Sequence, residues 1–391
     1  MRMRSLAVVA TVATLPAIVG CSPDDGGGVA STASGQPTLL AVGGDPALDV
    51  VAGEPFPAKR CEANREAGTL TFLTGFGLEA ASSTVEVLTA DAAGYYDDLC
   101  LEVEVRPGDV TTNPAAVGAG AAQFAGAGSF SEIVGEDDHD DPGFLVTSVD
   151  GRSAIDTLIV RAGAATEPTE LRGATLGVQD EMAPSISVML RGAGLVRGVD
   201  YSVVQLGRAD PLANIGEPID GLAGSKSGEV GTLNRAGVGI QLFDPLDYGV
   251  PGSFGVVYTS AAFAEAHPTA ATDFARATAR GLADAIADPA GAADTAVTVL
   301  TTDGESNRSS DDVASAAETF RWETEAGLVV RGTPEGVGFG TPDAPSLQAE
   351  LDAYAEVGFF GDDVGPLDAT DHIGAAIVRD IYDDSMVVWP S

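Results

Sequence analysis

From Gly68 onward the chain alternates short apolar runs with stretches of helical amphipathic spacing, the pattern of an α/β fold. Leu70-Thr71-Phe72-Leu73 reads as a strand ending at Thr74-Gly75. A helix with Ala81, Val85, Leu88 and Ala92 on one face follows, and Gly94 stops it. Leu101 to Val105 alternates as a second strand. Gln123 to Ala127 and Thr157 to Val160 supply two more. A second unit opens with Leu176-Gly177-Val178, passes through a helix from Pro184 to Arg191, and includes strands at Ser202–Leu206 and 239–243. Three helices are written into the last third. One starts at Pro268 and carries Phe274, Thr278, Leu282 and Ile286 until Asp288-Pro289 stops it. Another places Val313, Ala317 and Phe320 after Ser310, and a third places Leu347, Leu351 and Tyr354 after Pro345.

The amino terminus has a different pattern. Arg2 and Arg4 precede an apolar run, Leu6 to Val19, that is short for a membrane span and closes on Ile18-Val19-Gly20-Cys21. Small residues ahead of a cysteine suit cleavage before a lipid-modified thiol. Residues 1–20 are therefore expected to be a lipoprotein signal and Cys21 the acylated first residue of the mature chain. The other reading is an ordinary signal peptide with an incidental cysteine. Ser22 to Gln36, rich in Gly, Ser, Thr and Ala, has little to bury and reads as a tether. Between Pro37 and Ala67, Leu39–Val42 and Val50-Val51 fit short strands or surface packing equally.

Composition narrows the partners. Without the signal about 370 residues remain, enough for two lobes with a core each. The net charge of −38, with Lys59 and Lys226 the only lysines, excludes nucleic acid as a natural partner, since nothing would neutralise phosphates. Besides Cys21 there are two cysteines, Cys61 just before the first strong strand and Cys100 just before the second. In an exported chain, parallel neighbouring strands would bring them together as a disulfide; two unrelated buried thiols are the alternative.

Four segments together resemble a known family. They are Ala90-Asp91-Ala92-Ala93-Gly94-Tyr95-Tyr96 leading to Leu101-Glu102-Val103; Gly120-Ala121-Ala122-Gln123-Phe124-Ala125; Pro168-Thr169-Glu170-Leu171-Arg172-Gly173 leading to Leu176-Gly177-Val178; and Asp247-Tyr248-Gly249-Val250-Pro251 followed by Val256–Ser260 and the Pro268 helix. In order and spacing they resemble the solute-binding components of ABC importers for thiamine-pyrimidine precursors, aliphatic sulfonates, taurine or nitrate. Gln123 departs from that family's usual acid. The resemblance covers about Gly68 to Phe360. It implies a two-lobed α/β type II periplasmic-binding fold with a hinge and an interlobe cleft. Lobe 1 would comprise 68–161 and 251–391, and lobe 2 would comprise 162–250, after a tether and extension at 21–67. Arg161-Ala162-Gly163 and Val250-Pro251-Gly252 offer small and rigid residues for the two passages between lobes. One large doubly wound domain is the alternative architecture.

Ligands of such sheets lie at the carboxyl ends of strands, facing loops and helix N-termini. That nominates Thr74, Gly75 and Phe76; Gly126, Ala127, Gly128 and Ser129; and, from lobe 2, Gln179, Asp180, Ser185, Lys226 and Glu229. Lys226 reads equally as a solvated loop cation and Glu229 as a surface acid. Phe76 is a stacking platform or a core aromatic. Arg152 would favour an anion if it reached the cleft.

Enzymatic chemistry finds no footing. The chain has no Gly-x-Ser-x-Gly elbow, phosphate loop or reactive cysteine motif, and His267 and His372 have no second ligand at metal spacing. The acidic run from Glu136 through His139 to Asp141 lacks the spaced carboxylates and glycine of a calcium loop and reads as a solvated loop. The expectation is a lipid-anchored monomer without a cofactor that delivers a small organic solute to a permease and its ATPase. A sensing or adhesion lipoprotein on the same lobes is the second reading. A carboxylate-bearing lining with an aromatic platform favours a neutral or weakly basic heterocycle, such as a thiamine-pyrimidine precursor, over a sulfonate or nitrate.

Overall fold

Two five-stranded sheets, each flanked by helices, carry the chain, and each contains one strand that runs against the others. The computed structural model describes residues 45–391 apart from 76, 78, 138–142, 180, 207–209, 217, 303–310 and 362–363. Cys21, the signal, the tether, Phe76, Asp180 and His139 therefore lie outside the described residues.

The first lobe begins with α1 (Ala58–Glu66), β1 (Thr69–Leu73), α2 (Val85–Ala92), α3 (Tyr95–Asp98), β2 (Glu102–Arg106), α4 (Asn113–Gly118), β3 (Phe124–Ala127), α5 (Phe130–Glu136) and β4 (Phe144–Gly151). The second lobe holds β5 (Asp156–Arg161), β6 (Thr175–Val178), α6 (Pro184–Gly192), β7 (Ser202–Gln205), α7 (Pro211–Asn214), β8 (Gly221–Ser225), α8 (Glu229–Arg235) and β9 (Ile240–Phe243). The chain then returns through β10 (Phe254–Ser260), α9 (Ala261–Ala266), α10 (Pro268–Ala287), α11 (Pro289–Thr302), α12 (Asp311–Gly332), α13 (Ala344–Ala355), α14 (Ala375–Val378) and the hairpin β11 (Tyr382–Asp383) and β12 (Met386–Val387).

The sheet orders are β2-β1-β3-β10-β4 and β7-β6-β8-β5-β9. β10 pairs antiparallel with β3 and β4, and β5 pairs antiparallel with β8 and β9. These two are the strands by which the chain enters each lobe from the other. A strand arriving from the cleft must run opposite to strands that end there. The starts of β5 and β10 thus lie beside the carboxyl ends of the parallel strands.

The first passage between lobes falls at 152–155, ahead of β5, so Thr157–Val160 belongs to lobe 2 and the expected boundary at 161–162 moves upstream. Its apolar pattern is that of any buried strand and carries no mark of which sheet it joins. One other reading is corrected: the helix expected from Ala81 starts at Val85. Of the two alternatives for Val50-Val51, the structure has surface placement, with Val51 exposed and α1 following. Asp288-Pro289 stops α10 as expected, and Pro289 also opens α11, because a proline that cannot continue one helix is well suited to begin the next.

The first lobe's core includes Phe124 and Phe274, stacked at 3.8 Å between ring centroids. A further cluster joins α2, α10, α11 and α12 around Trp322, whose indole N–H donates to the Ala285 carbonyl at 2.8 Å. α10 lies so close to α2 that a Cβ at Gly281 would overlap the Glu86 carbonyl oxygen. Arg60 grips the buried Asp273 through two nitrogens at 2.6 and 2.9 Å, with Asn64 adding a third donor at 2.8 Å. Cys61 of α1 is disulfide-bonded to Cys100, which precedes β2.

Candidate functional site

The two sheets face each other across a cavity of about 350 Å³. Four kinds of segment line it: loops after parallel strands, the head of α5, the starts of the crossing strands, and one face of α12. From lobe 1, Ala127 ends β3 and Gly128 and Ser129 follow it. Ser129 caps α5 in a capping box: its Oγ accepts from the Glu132 N–H at 3.3 Å, and Glu132 Oε2 accepts from the N–H groups of Ser129 at 3.2 Å and Gly128 at 3.0 Å. Gly255 at the start of β10 has φ +67°, and a Cβ there would overlap Ser82, so the close approach of these two lining segments requires glycine. From lobe 2 come Asp156 at the start of β5, Gln179 after β6, Ser225 at the end of β8, and Ser227 and Glu229 after it.

α12 joins the two walls. Glu325 accepts from the Ser82 N–H of lobe 1 at 2.6 Å and from the Ser227 hydroxyl of lobe 2 at 2.6 Å. One turn earlier Arg321 pairs with Glu79 at 3.1 Å. Phe320 packs over Gly231 of α8, where a Cβ would overlap its ring.

The lining is acidic: Glu79, Glu132, Asp156, Glu181, Glu229 and Glu325 stand against Arg321. Burial pushes Glu132 up to about 7, the charge of Asp156 adding to the effect. Burial also lifts Asp156 to about 6, opposed by the nearby Lys226 ammonium and a hydrogen bond from Ser185. Glu325 is raised by burial, with the Ser227 and Ser82 donors working against it. Behind this wall Asp150, buried and hydrogen-bonded by Ser148, is pushed up to about 7, and burial holds its neighbour Glu86 well above the carboxylate range.

Of the residues nominated from the sequence, Ala127, Gly128, Ser129, Gln179 and Glu229 line the cavity. Thr74, Gly75, Gly126, Ser185 and Lys226 do not. Thr74 accepts from the Gly108 N–H, and Gly75 and Gly126 pack against each other beneath Ser83. Ser185 is fully buried behind Asp156, 3.4 Å from its carboxylate. Lys226 is buried because its ammonium is held by the Ala154 carbonyl at 2.7 Å and by Asp244 at 2.8 Å. Arg152 is likewise engaged elsewhere, with Thr341 and Asp343.

Several lining residues escaped the sequence reading. Asp156, Ser253, Phe254 and Gly255 begin antiparallel strands, where a rule based on carboxyl ends does not look. Arg321 and Glu325 come from a distant helix whose spacing shows only that it is helical. Glu132 had a legible signal, the Ser129-x-x-Glu132 capping spacing.

Nothing in the described residues resembles a metal centre: no group of three or more His, Cys, Asp or Glu side chains is placed to hold one. At the edge of the acidic loop, Asp137 is occupied by the N–H groups of Gly143 and Phe144 and by His372 at 3.2 Å. Among the described residues no helix is long and apolar enough to cross a membrane.

Paired sheets entered by antiparallel crossing strands, with a lined cleft between them, define the two-lobed α/β architecture of periplasmic binding proteins. The alkanesulfonate-binding protein SsuA from Xanthomonas axonopodis pv. citri, solved bound to MOPS, superposes with a TM-score of 0.54 at 14% identity, covering 83% of this chain and 98% of that one. The ligand-binding component of an ABC-type import system from Staphylococcus aureus, solved with zinc bound, gives 0.55 at 11% identity, with 80% and 98% covered. The model of the NMT1/THI5-like family matches residues 82–292, more than half of the chain, and the protein belongs to that family. No curated protein matches it in sequence.

Proposed function

We propose that the protein is a solute-binding protein of an ABC importer, exported and anchored through Cys21, that captures a small organic solute in the interlobe cleft and presents it to a permease and its ATPase. The observation that carries this reading is the cavity of about 350 Å³, lined from both lobes and spanned by Glu325. Its size suits one small solute, and its position between hinged lobes suits capture by closure. Family membership and the fold shared with other import-system binding components support it, and the Cys61–Cys100 disulfide fits an oxidising compartment. The mechanism needs no bond chemistry.

The favoured solute is a heterocycle of the thiamine-pyrimidine-precursor kind, whose ring amino groups can donate to Glu229, Asp156 or Glu132. A sulfonate, taurine or nitrate is the competing ligand class, given the alkanesulfonate-binding neighbour, and the acidic lining weighs against it. A thermal-shift and calorimetry screen of aminopyrimidines, flavins, sulfonates, taurine and nitrate tests the reading. Micromolar binding of an aminopyrimidine supports it. Binding of taurine or nitrate with no response to aminopyrimidines overturns the ligand choice, and loss of the gene without any loss of solute uptake overturns the transport role in favour of sensing.

A further inference from the structure

We propose that this cleft selects its solute as a cation, a protonated amine or amidine held between Glu132 of lobe 1 and Asp156 of lobe 2. The inference rests on reading the cleft as the solute site and adds the charge class that the site accepts.

The first support is that two of the places where the cleft could hold an anion, the head of α5 and the loop before α2, are already filled. A helix head or an open loop binds sulfonate or nitrate through unused backbone N–H groups. At the head of α5, the Phe130 N–H donates to Ser253 Oγ at 2.9 Å, the Ser131 N–H to Glu350 at 3.1 Å, and the Gly128 and Ser129 N–H groups to Glu132. On the loop before α2, the Ala80 N–H donates to Glu318 at 2.7 Å and the Ser82 N–H to Glu325 at 2.6 Å. Four carboxylates and the Ser253 hydroxyl thus stop both donor sets. Arg321, the one cation among the described residues of the lining, is paired with Glu79 at 3.1 Å and lies 3.7 Å from Glu318. At either place an entering anion would have to displace one of these acceptors to gain a donor.

The second support is what remains available for bonding. Glu132 spends Oε2 on the capping box, and Asp156 makes a long contact, through Oδ2, to Ser185 besides one to its own backbone N–H; among the described residues no other residue donates to Glu132 Oε1 or Asp156 Oδ1. The Ser82 hydroxyl, on a lining residue only 5% exposed, has no partner either. Two acceptors and a hydroxyl on residues that line one cavity form a receptor for an N–H-rich cationic group, which gains charge-assisted bonds on both lobes at once. The charge balance agrees. Facing Glu132 and Asp156 are Glu229 from α8, Glu350 and Tyr354 from α13, and the Lys226 ammonium, which Asp244 already holds. A monocation relieves this repulsion and closes the lobes by bridging them.

Matched probes test the proposal on the purified full chain by calorimetry: benzamidine against benzamide and benzenesulfonate, and putrescine against butanediol and succinate. In at least one set the cation should bind about tenfold or more tightly than its neutral counterpart. Its affinity should rise from about pH 5 to about pH 8 as the carboxylates ionise. Glu132→Gln and Asp156→Asn, each shown to be folded by an unchanged circular dichroism spectrum, should each remove most of that preference. Equal binding of the neutral probe, tighter binding of an anion, no response to either cation, or a cation preference unaltered in both variants would overturn it. A neutral or anionic ligand bound in the cleft would leave the solute-binding reading standing. Failure of every solute class would remove both.

Discussion

Lys226 stands 2.8 Å from Asp244 and donates to the Ala154 carbonyl at 2.7 Å, so one buried ammonium ties together the two segments by which the chain passes between lobes. Its own backbone N–H adds a bond to the Ile155 carbonyl at 3.0 Å. A hinge braced in this way can bend without the passages sliding past each other. Lys226→Met removes the charge from a nearly buried pair and strands Asp244. The expected loss is about 3 kcal/mol in unfolding free energy, read by urea denaturation. Unchanged stability would mean that the pair does not brace the hinge.

Glu325 performs the complementary task on the buried wall of the cleft, where it accepts from Ser82 and Ser227 across the lobes. Glu325→Ala leaves two donors unsatisfied, at about 1–3 kcal/mol each if they stay dry. It should weaken solute binding more than it lowers the melting temperature, because the open lobes can rehydrate both donors. Calorimetry and a thermal melt on the same variant separate the two effects; equal affinity to wild type would contradict the assigned role.

Stability should depend on pH with a defined sign. Glu132 and Asp150 at about 7 and Asp156 at about 6 lie above their ordinary values. Between roughly pH 4 and 7 the folded protein therefore binds more protons than the unfolded chain. The stabilisation is complete below the ordinary carboxylate range and is lost as pH rises through 6 and 7. The melting temperature of the ligand-free protein should fall between about pH 5 and about pH 8, and Glu132→Gln should flatten part of that fall. A melting temperature that rises over this interval would contradict the burial of these acids.

Membrane attachment is tested at Cys21. Cys21→Ser removes the acyl acceptor, so the protein should leave the membrane fraction or accumulate as uncut precursor. Unchanged retention and lipid labelling would refute the anchor.

Much of the framework is legible in the sequence because strands such as Leu70–Leu73 and Thr157–Val160 are apolar runs between turn residues, and α10 and α13 keep one apolar face. What the pattern does not carry is which sheet a buried strand joins. That is why Thr157–Val160 changed lobes and Asp156 went unseen at the cleft. The same limit applies to Lys226: a lysine in a Gly/Ser loop reads as solvent-facing until Ala154 and Asp244 are seen converging on it. Glycines at strand ends, such as Gly75 and Gly126, read as ligand-facing, whereas here they allow two strands' ends to pack beneath Ser83. Residues after β3 and Glu229 after β8 were found because parallel strands deliver their following loops to the cleft regardless of sequence detail.

The central claim is that the space between the lobes is where the solute binds, and filling that space tests it most directly. Ala223 lines the cavity from β8 at the margin of the core and is partly exposed, so Ala223→Trp puts an indole ring into the cleft. With the best ligand from the solute screen, calorimetry should give micromolar binding to the wild-type chain and none to Ala223→Trp, while the two ligand-free proteins melt at similar temperatures. Full binding by the folded Ala223→Trp variant would place the solute elsewhere and contradict the account.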